Sequence, residues 1–465
     1  MSTTSQVLTY RLQDQDGTEE KLIVHQVMRE IEDRRFSGRG SWRHQEVFFK
    51  IYVAVERAER HVQREKFGSK ALIERNIPTA EVIYEADIYG GELPKGAKCL
   101  LFRWIDGAEN LDRALHGVIS ETRALSLLRS LATTVGHLHG TGLIQKDLHF
   151  GNFAVVENTI YTFDPGSIEV KGKPVPRGAA LENLALFFAQ MDPVYVNTTT
   201  MSLFLDSYID SRGEEKERPE SDKLWKRIVK ERKRRMDRFL DKMLRPCRLV
   251  TVHKLTSGKK ALFDRGSDQG ALLDLVDSID KKDVIVDGTT VQFLDKECRV
   301  CVFPSHGVSL FGFNELEGSA RSWRAAQRLI LEQVPVVRPL ACVESSGKQD
   351  SWIVDQRSSG STLQSELAKD NVDVDSIGRS IAEILVRLGQ LNLVHNRMSL
   401  RSFAICDSQA YLCDVEELVD GKERPLDATI TTSEDMRDLL GVLHGHDFYS
   451  VVLGALNDRG YAFES

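Results

Sequence analysis

The stretch QKDLHFGNFAVVENTIYTFDPG, Gln145–Gly166, decides how the rest of the chain is read. It sets Asn152 five residues after Asp147, and an apolar run then ends at Asp164, two residues before Gly166. Phosphoryl-transfer sites use an Asp, an Asn and a strand-end Asp at these intervals as a general base and two Mg²⁺ ligands. Octahedral Mg²⁺ keeps several waters, so two side-chain oxygens suffice. His149, two residues after the base, is a second candidate catalytic residue. A plain polar turn is the competing reading, but the three residues fall between a helix pattern and a strand pattern, which favours chemistry.

The helix pattern is ETRALSLLRSLATTVGHLHGTG, Glu121–Gly142, with Leu125, Leu128, Leu131, Val135 and Leu138 at helical spacing and Gly140 and Gly142 as stops. His137 and His139 near its end read as cap or packing residues, since cations suit a helix C-terminus. Earlier, EVFFKIYVA (Glu46–Ala54) is a β-type run carrying Lys50, and Arg57–Glu74 is a helix ending at Asn76-Ile77-Pro78 with apolar spacing through Val62, Phe67, Ala71 and Leu72. A strand lysine usually faces solvent. In phosphoryl transfer it bridges nucleotide phosphates and a helix glutamate, and Glu65, mid-helix, suits that role better than Glu59. The proline turns the chain into a strand, and Leu100–Asp106 is a further apolar strand where an adenine would stack. SGRGSW (Ser37–Trp42) reads either as a glycine-rich phosphate loop or as a strand with a bulge.

The 465 residues imply two or three domains, and the net charge of −7 disfavours nonspecific nucleic-acid binding. No apolar run is long enough for a membrane span and Met1–Gly17 lacks a signal-peptide core, so a cytoplasmic location is expected. The seven cysteines suggest no disulfide framework. Cys298 and Cys301 are spaced as C-x-x-C, but CRVCVF reads as a strand, which points them to opposite faces and argues against zinc. Lys223–Arg248 is a very basic helical stretch with an apolar stripe through Trp225, Ile228, Val229, Met236, Phe239, Leu240 and Met243. It reads as a solvated face packed on its domain, or as a peripheral contact with anionic lipid or phosphorylated glycan.

The second half repeats the first. LIQKDLHFGNFAV (Leu143–Val155) aligns with LVHNRMSLRSFAI (Leu393–Ile405) at one constant offset that also pairs Asp164 with Asp414. Asp147 becomes Arg397 and Asn152 becomes Ser402. Aligning IERNIPTAEVIYEA with ILEQVPVVRPLACVE pairs Glu65 with Ser322, and Val302 is expected where Lys50 stands. This half is therefore expected not to transfer phosphate.

Together, Lys50, the REK…NIPTAEVI segment with Glu65, DLHFGN followed by FDPG, and RMDRFLDKMLRPCR resemble the lipopolysaccharide core kinases, which phosphorylate Kdo or heptose sugars. In the second half ARSWRAAQRLILEQVPVVRPLACVE is the most family-like stretch. Gln145-Lys146 before the base and Asp164-Pro165-Gly166 in place of Asp-Phe-Gly depart from the family pattern. After Asp164 no long activation segment or Ala-Pro-Glu motif follows. The resemblance implies an α+β fold of two tandem protein-kinase-like domains, each with a β-rich N-lobe and a helical C-lobe: residues 1–248 catalytic and 249–465 a degenerate pseudokinase. It further implies ATP and Mg²⁺, with Lys50 and Glu65 positioning ATP and Asn152 and Asp164 holding the metal. The acceptor would be lipopolysaccharide core glycolipid at the inner face of the inner membrane. Two rival expectations are a non-catalytic assembly module of envelope synthesis and a kinase of a small soluble alcohol, because DLHxGN also resembles aminoglycoside and choline kinases.

Overall fold

The structure, a computed structural model, describes residues 8–116, 120–172, 174–213, 221–282, 285–294, 296–303, 318–344, 350–356, 362–369, 371–421, 439–441, 443–444 and 447–458. The chain divides into two compact units, Met1–Glu231 and Arg232–Ser465, both mixing helix and sheet as an α+β fold requires.

The first unit opens with β1 (Leu8–Gln13), β2 (Glu19–Ile31), β3 (Arg35–Trp42), β4 (Gln45–Tyr52), helix α1 (Val55–Ile73), β5 (Val82–Tyr89) and β6 (Lys98–Arg103). The strands close into a barrel of order β1-β2-β3-β4-β6-β5, because β1 also pairs antiparallel with β5 through Arg11–Gln13. Alternation in β4 explains its orientation: Val47, Phe49 and Ile51 are buried in the barrel with Leu12, Leu22 and Leu101, which turns Phe48, Lys50 and Tyr52 to the opposite face. SGRGSW is part of β3. A Cβ on Gly38 would lie 1.9 Å from the Gln26 carbonyl oxygen, beside two register shifts against β2, so the glycines serve the bulged pairing and form no phosphate loop. The turn between β2 and β3 is Glu32–Arg34 instead.

Helix α1 buries Ala58, Val62, Ala71 and Leu72 and ends where Asn76 takes a positive φ of 54° before Pro78. Phe67, expected in its apolar stripe, is 58% exposed. Gly68 next to it is the buried position, since a Cβ there would meet the Pro165 carbonyl oxygen at 1.8 Å.

The remainder of the unit is mainly helical: β7 (Glu109–Asn110), α2 (Leu111–His116), α3 (Glu121–Gly140), β8 (Leu143–Gln145), β9 (Phe153–Val156), β10 (Thr159–Thr162), β11 (Ile168–Val170), α4 (Arg177–Phe188), α5 (Thr198–Arg212) and α6 (Ser221–Lys242). Ser120 caps α3 by accepting from the Arg123 N–H, and Leu128, Leu131, Val135 and Leu138 are buried along it. Hairpin β9–β10 and the pair β8–β11 flank the segment that carries Asp147 and Asp164.

Helix α6 straddles the division between the units at Glu231. Phe239, Met243, Leu244 and Cys247 pack with Val250, Leu262, Trp323 and Ile353, and the Trp323 indole donates to the Met243 carbonyl at 2.9 Å. Leu224, Ile228, Leu240 and Met243 are buried, while Lys223, Lys226, Lys230, Arg238 and Arg248 are exposed, so the apolar stripe is packed and the basic face is solvated.

The second unit holds β12 (Val250–Lys254), β13 (Lys260–Asp264), α7 (Gln269–Asp280), β14 (Thr290–Phe293), β15 (Lys296–Phe303), α8 (Gly318–Leu331), β16 (Pro339–Val343) and β17 (Ser351–Asp355), with a six-stranded sheet of order β12-β13-β16-β17-β15-β14. Then come α9 (Leu363–Glu366), α10 (Val374–Gln390), β18 (Leu393–His395), β19 (Phe403–Cys406), β20 (Gln409–Leu412), β21 (Leu418–Asp420) and α11 (Asp447–Asn457). The local geometry after β18 repeats that after β8. Phe163 N–H donates to the Asn152 carbonyl at 2.7 Å and Cys413 N–H to the Ser402 carbonyl at 2.8 Å. Asp164 and Asp414 both take positive φ, 53° and 56°.

Candidate active site

Lys50 lies on the outward face of β4, opposite Ser37 on β3 and Leu100 on β6. Its Nζ is 2.6 Å from Glu65 Oε1 and 3.1 Å from Asp164 Oδ1, so one cation ties strand, helix and loop together. The lysine side chain is 12% exposed and Glu65 is 3% exposed. At that depth an ion pair must be closely paired to offset desolvation, and removing one partner costs about 3–5 kcal/mol. Tyr52 adds a hydrogen bond from its hydroxyl to Glu65 Oε1 at 3.1 Å, and burial followed by the Glu65 charge raises the Tyr52 pKa, keeping it a donor. Glu59, the other candidate, instead accepts from Gln63 and pairs with Lys98.

The helix is held to the loop at two points. Arg64 donates to the Gly166 carbonyl at 2.8 Å, and Gly68 lies against Pro165. Gly166 leaves room for Glu65, since a Cβ there would be 3.1 Å from Oε1. Asp164 sits at the entry to this loop with Ser167 Oγ donating to its Oδ2 at 2.8 Å. Burial is the largest influence on Asp164 and opposes ionisation. The Lys50 charge, the hydrogen bonds from Ser167 and Lys50 and the more distant Arg35 together outweigh it and hold the carboxyl below its ordinary range.

Asn152 closes a single turn, Phe150–Asn152, and its Nδ2 donates to the Asp147 carbonyl at 2.7 Å, which turns its Oδ1 the other way. The turn is fixed by Asn110 donating to the Gly151 carbonyl and Gln190 to the Leu148 carbonyl. The Asp147 carboxylate is 61% exposed with His149 Nε2 3.5 Å from its Oδ2. Exposure leaves Asp147 accessible to an incoming hydroxyl, and the short turn keeps it adjacent to Asn152. Among the described residues no three His, Cys, Asp or Glu side chains gather into a metal cluster. The donor set Asn152 and Asp164, two oxygens with no soft ligand, suits Mg²⁺ coordinated mostly by water and phosphate.

Residues that sequence reasoning passed over are Tyr52, Gly68 and Arg35. Arg35 was legible in principle: it shares the β3 face of Ser37, which pairs with Lys50, and it pairs with Tyr52. Beside them, Phe48 and Phe102 lie 6.1 Å apart between ring centroids, Lys50 Nζ is 5.4 Å from the Phe102 centroid, and Arg39 lies over Trp104.

In the second unit Asp414 keeps the place of Asp164, while Arg397 and Ser402 stand in the places of Asp147 and Asn152. The residue on the face of Lys50 is Cys301, not Val302. Lys50 pairs with Leu100, which packs beside α1, and Cys301 pairs with Ile353, which packs against Trp323 of α8, whereas Val302 packs toward the opposite core. Cys298 is in that same opposite core, so the two cysteines of C-x-x-C do face apart. A cavity of about 180 Å³ within this unit is lined in part by Cys301, Ser322, Asp355, Asp414 and Glu416.

No family model matches the sequence, and no curated protein matches it significantly. Among solved structures, one similar chain is WaaP in complex with acyl carrier protein: 15% identity, covering 45% of this chain and 88% of that chain, with a TM-score of 0.33.

Proposed function

We propose that the first unit is a protein-kinase-like phosphotransferase that moves the γ-phosphoryl group of ATP to an alcohol, with a sugar hydroxyl of the lipopolysaccharide inner core as acceptor. The observation that carries the reading is Lys50 bound at once to Glu65 and Asp164, with Asp147 and Asn152 held in one turn nearby. In the reaction, the acceptor oxygen bonds to the γ-phosphorus, the bond from that phosphorus to the β–γ bridging oxygen breaks, and ADP leaves. Asp147 takes the hydroxyl proton, and His149 beside it steadies the carboxylate. Lys50, fixed by Glu65, binds the α- and β-phosphates, and Asn152 with Asp164 would hold Mg²⁺, which neutralises charge on the phosphates.

The choice of acceptor rests on the resemblance of DLHFGN, FDPG and the Glu65 helix to the lipopolysaccharide core kinases. The solvated basic face of α6 suits the anionic headgroups around such an acceptor, and a peripheral position at the inner membrane belongs to the same proposal. The second unit is read as a pseudokinase domain that regulates or recognises substrate.

Phosphate transfer from labelled ATP to purified core oligosaccharide, alongside choline and an aminoglycoside, tests the reading and sorts the acceptor. Asp147→Ala should lower kcat by about 10²–10⁴ with the fold intact. Undiminished transfer by that variant defeats the mechanism, and transfer only to the small alcohols defeats the acceptor.

A further inference from the structure

The turn that would cover the nucleotide phosphates carries no glycine. In kinases a flexible glycine-rich hairpin brings backbone N–H groups over the phosphates. Here the β2–β3 hairpin turns through Glu32-Asp33-Arg34, with Asp33 at a positive φ of 54°. The tip is tied down, since the Arg34 carbonyl accepts from both Val53 and Ala54 N–H groups at 2.8 and 3.1 Å, at the exit of β4 into α1. A hairpin pinned this way cannot close a backbone cradle over a triphosphate. Something else must supply the positive contact.

Register points to the side chain that does. Arg35 pairs with Tyr52 and Ser37 with Lys50, so Arg35 projects from the face that carries Lys50, while Phe36 between them packs into the barrel. Arg35 is half-buried. Tyr52, its partner across the strands, stacks on His61 of α1 and donates to Glu65, so Arg35 belongs to the face on which strand and helix meet beside Lys50. A planar guanidinium can bind two phosphate oxygens at once, where the lysine below it is a point charge.

We propose that Arg35 binds the terminal phosphates of the nucleotide from above, in place of a glycine-rich loop, with Lys50 holding the inner phosphates from below. The inference rests on the nucleotide-binding reading of the first unit. It adds a specificity: the site selects triphosphate over adenosine through one side chain rather than through backbone amides.

The test is calorimetric titration of the full-length chain with MgATP and with adenosine. Arg35→Ala should weaken MgATP at least tenfold and leave adenosine unchanged, and Arg35→Lys should recover part of the loss. MgATP affinity within twofold of the unaltered chain in Arg35→Ala, while Lys50→Ala abolishes it, overturns the role of Arg35 and leaves the nucleotide-binding reading standing. An equal loss for adenosine and MgATP makes Arg35 a structural residue and also overturns the inference. If the unaltered chain binds neither ligand, the nucleotide-binding reading fails and takes the role of Arg35 with it.

Discussion

His139 shows how a polar residue behind the site can matter without touching substrate. It is fully buried, with Nδ1 2.8 Å from the Tyr208 hydroxyl and Nε2 3.1 Å from Asn183 Oδ1. Asn183 in turn donates to the Gln145 carbonyl, two residues before Asp147, and Arg212 donates to the Tyr208 oxygen at 2.7 Å. Those partners fit a neutral ring: Nε2–H donates to Asn183, and Nδ1 accepts from the Tyr208 hydroxyl. Protonation would place a second positive charge near Arg212. Burial first, with Arg212 adding to it against the Asn183 bond, pushes the His139 pKa down to about 4 from 6.5. The folded value lies below the unfolded one, so the stabilisation is fully present above pH 6.5 and is lost as the pH falls toward 4. The loss should reach on the order of 3 kcal/mol. Urea denaturation of the chain with His139→Gln should lack that part of the acid sensitivity. Identical slopes in both proteins would show that other groups account for it.

At the scale of elements, the docking of α1 on the Asp164–Gly166 loop decides whether Lys50 and Glu65 meet. Gly68→Ala puts a methyl 1.8 Å from the Pro165 carbonyl, so the helix must withdraw and the 2.6 Å ion pair must open. MgATP affinity should fall about tenfold, with a stability loss of about 1–3 kcal/mol. Gly178→Ala is the control: it lies in α4 with open space around its Cβ position, and should be neutral or slightly stabilising. The second unit solves the same contact differently. Ser322 stands where α1 has Glu65, and Glu416 stands where the loop has Gly166, so the carboxylate comes from the loop and bonds to the helix serine. Burial, reinforced by Asp414 and Glu417, raises the Glu416 pKa above 4.5. A raised folded pKa favours folding below the unfolded value and gives that contribution up as the pH rises through the folded one. Glu416→Gln should therefore flatten the stability of the second unit across this range, as read by thermal melting from pH 4 upward. A melting profile unchanged by the substitution would remove Glu416 from the account.

These two loops also show what the amino-acid order made legible. The strand around Lys50, the helix stop before Pro78 and the spacing of Asp147, Asn152 and Asp164 could all be read, because each is a local pattern with a local cause. The carboxylate exchange between Glu65 and Glu416 could not, because it depends on two segments far apart in sequence approaching to within a side chain. Cys301 was displaced to Val302 for a related reason. Both faces of CRVCVF carry a cysteine and apolar residues, and only pairing with Ile353 shows which face is which. Phe67 was placed in the core by spacing alone, and close approach to Pro165 gave that position to Gly68. The closing pair β1–β5 joins strands that have no marker for each other.

At the scale of the whole molecule, the two units share a local backbone arrangement around Asp164 and Asp414, and their electrostatics there diverge. The face around Lys50 in the first unit carries Arg35 and Arg39 as well, against the carboxylates of Glu65 and Asp164. The corresponding cavity in the second unit is lined by Asp287, Asp355, Asp414 and Glu416, with Arg299 as the one cationic lining residue among the described residues. A triphosphate brought there would meet carboxylates without the lysine that neutralises its inner phosphates, and at about 4 Å each unscreened like-charge pair costs about 1–4 kcal/mol between water and a protein surface. Since 1.4 kcal/mol is a tenfold change in affinity, each such pair weakens nucleotide binding in the second unit by about five- to several-hundredfold. The full chain should accordingly bind one MgATP, measured by calorimetric stoichiometry. Lys50→Ala should abolish that single site, while Cys301→Ala should leave it intact. Two sites in the unaltered chain, one of them surviving Lys50→Ala, would show that the acidic cavity holds nucleotide after all, and the division of labour between the units would have to be redrawn.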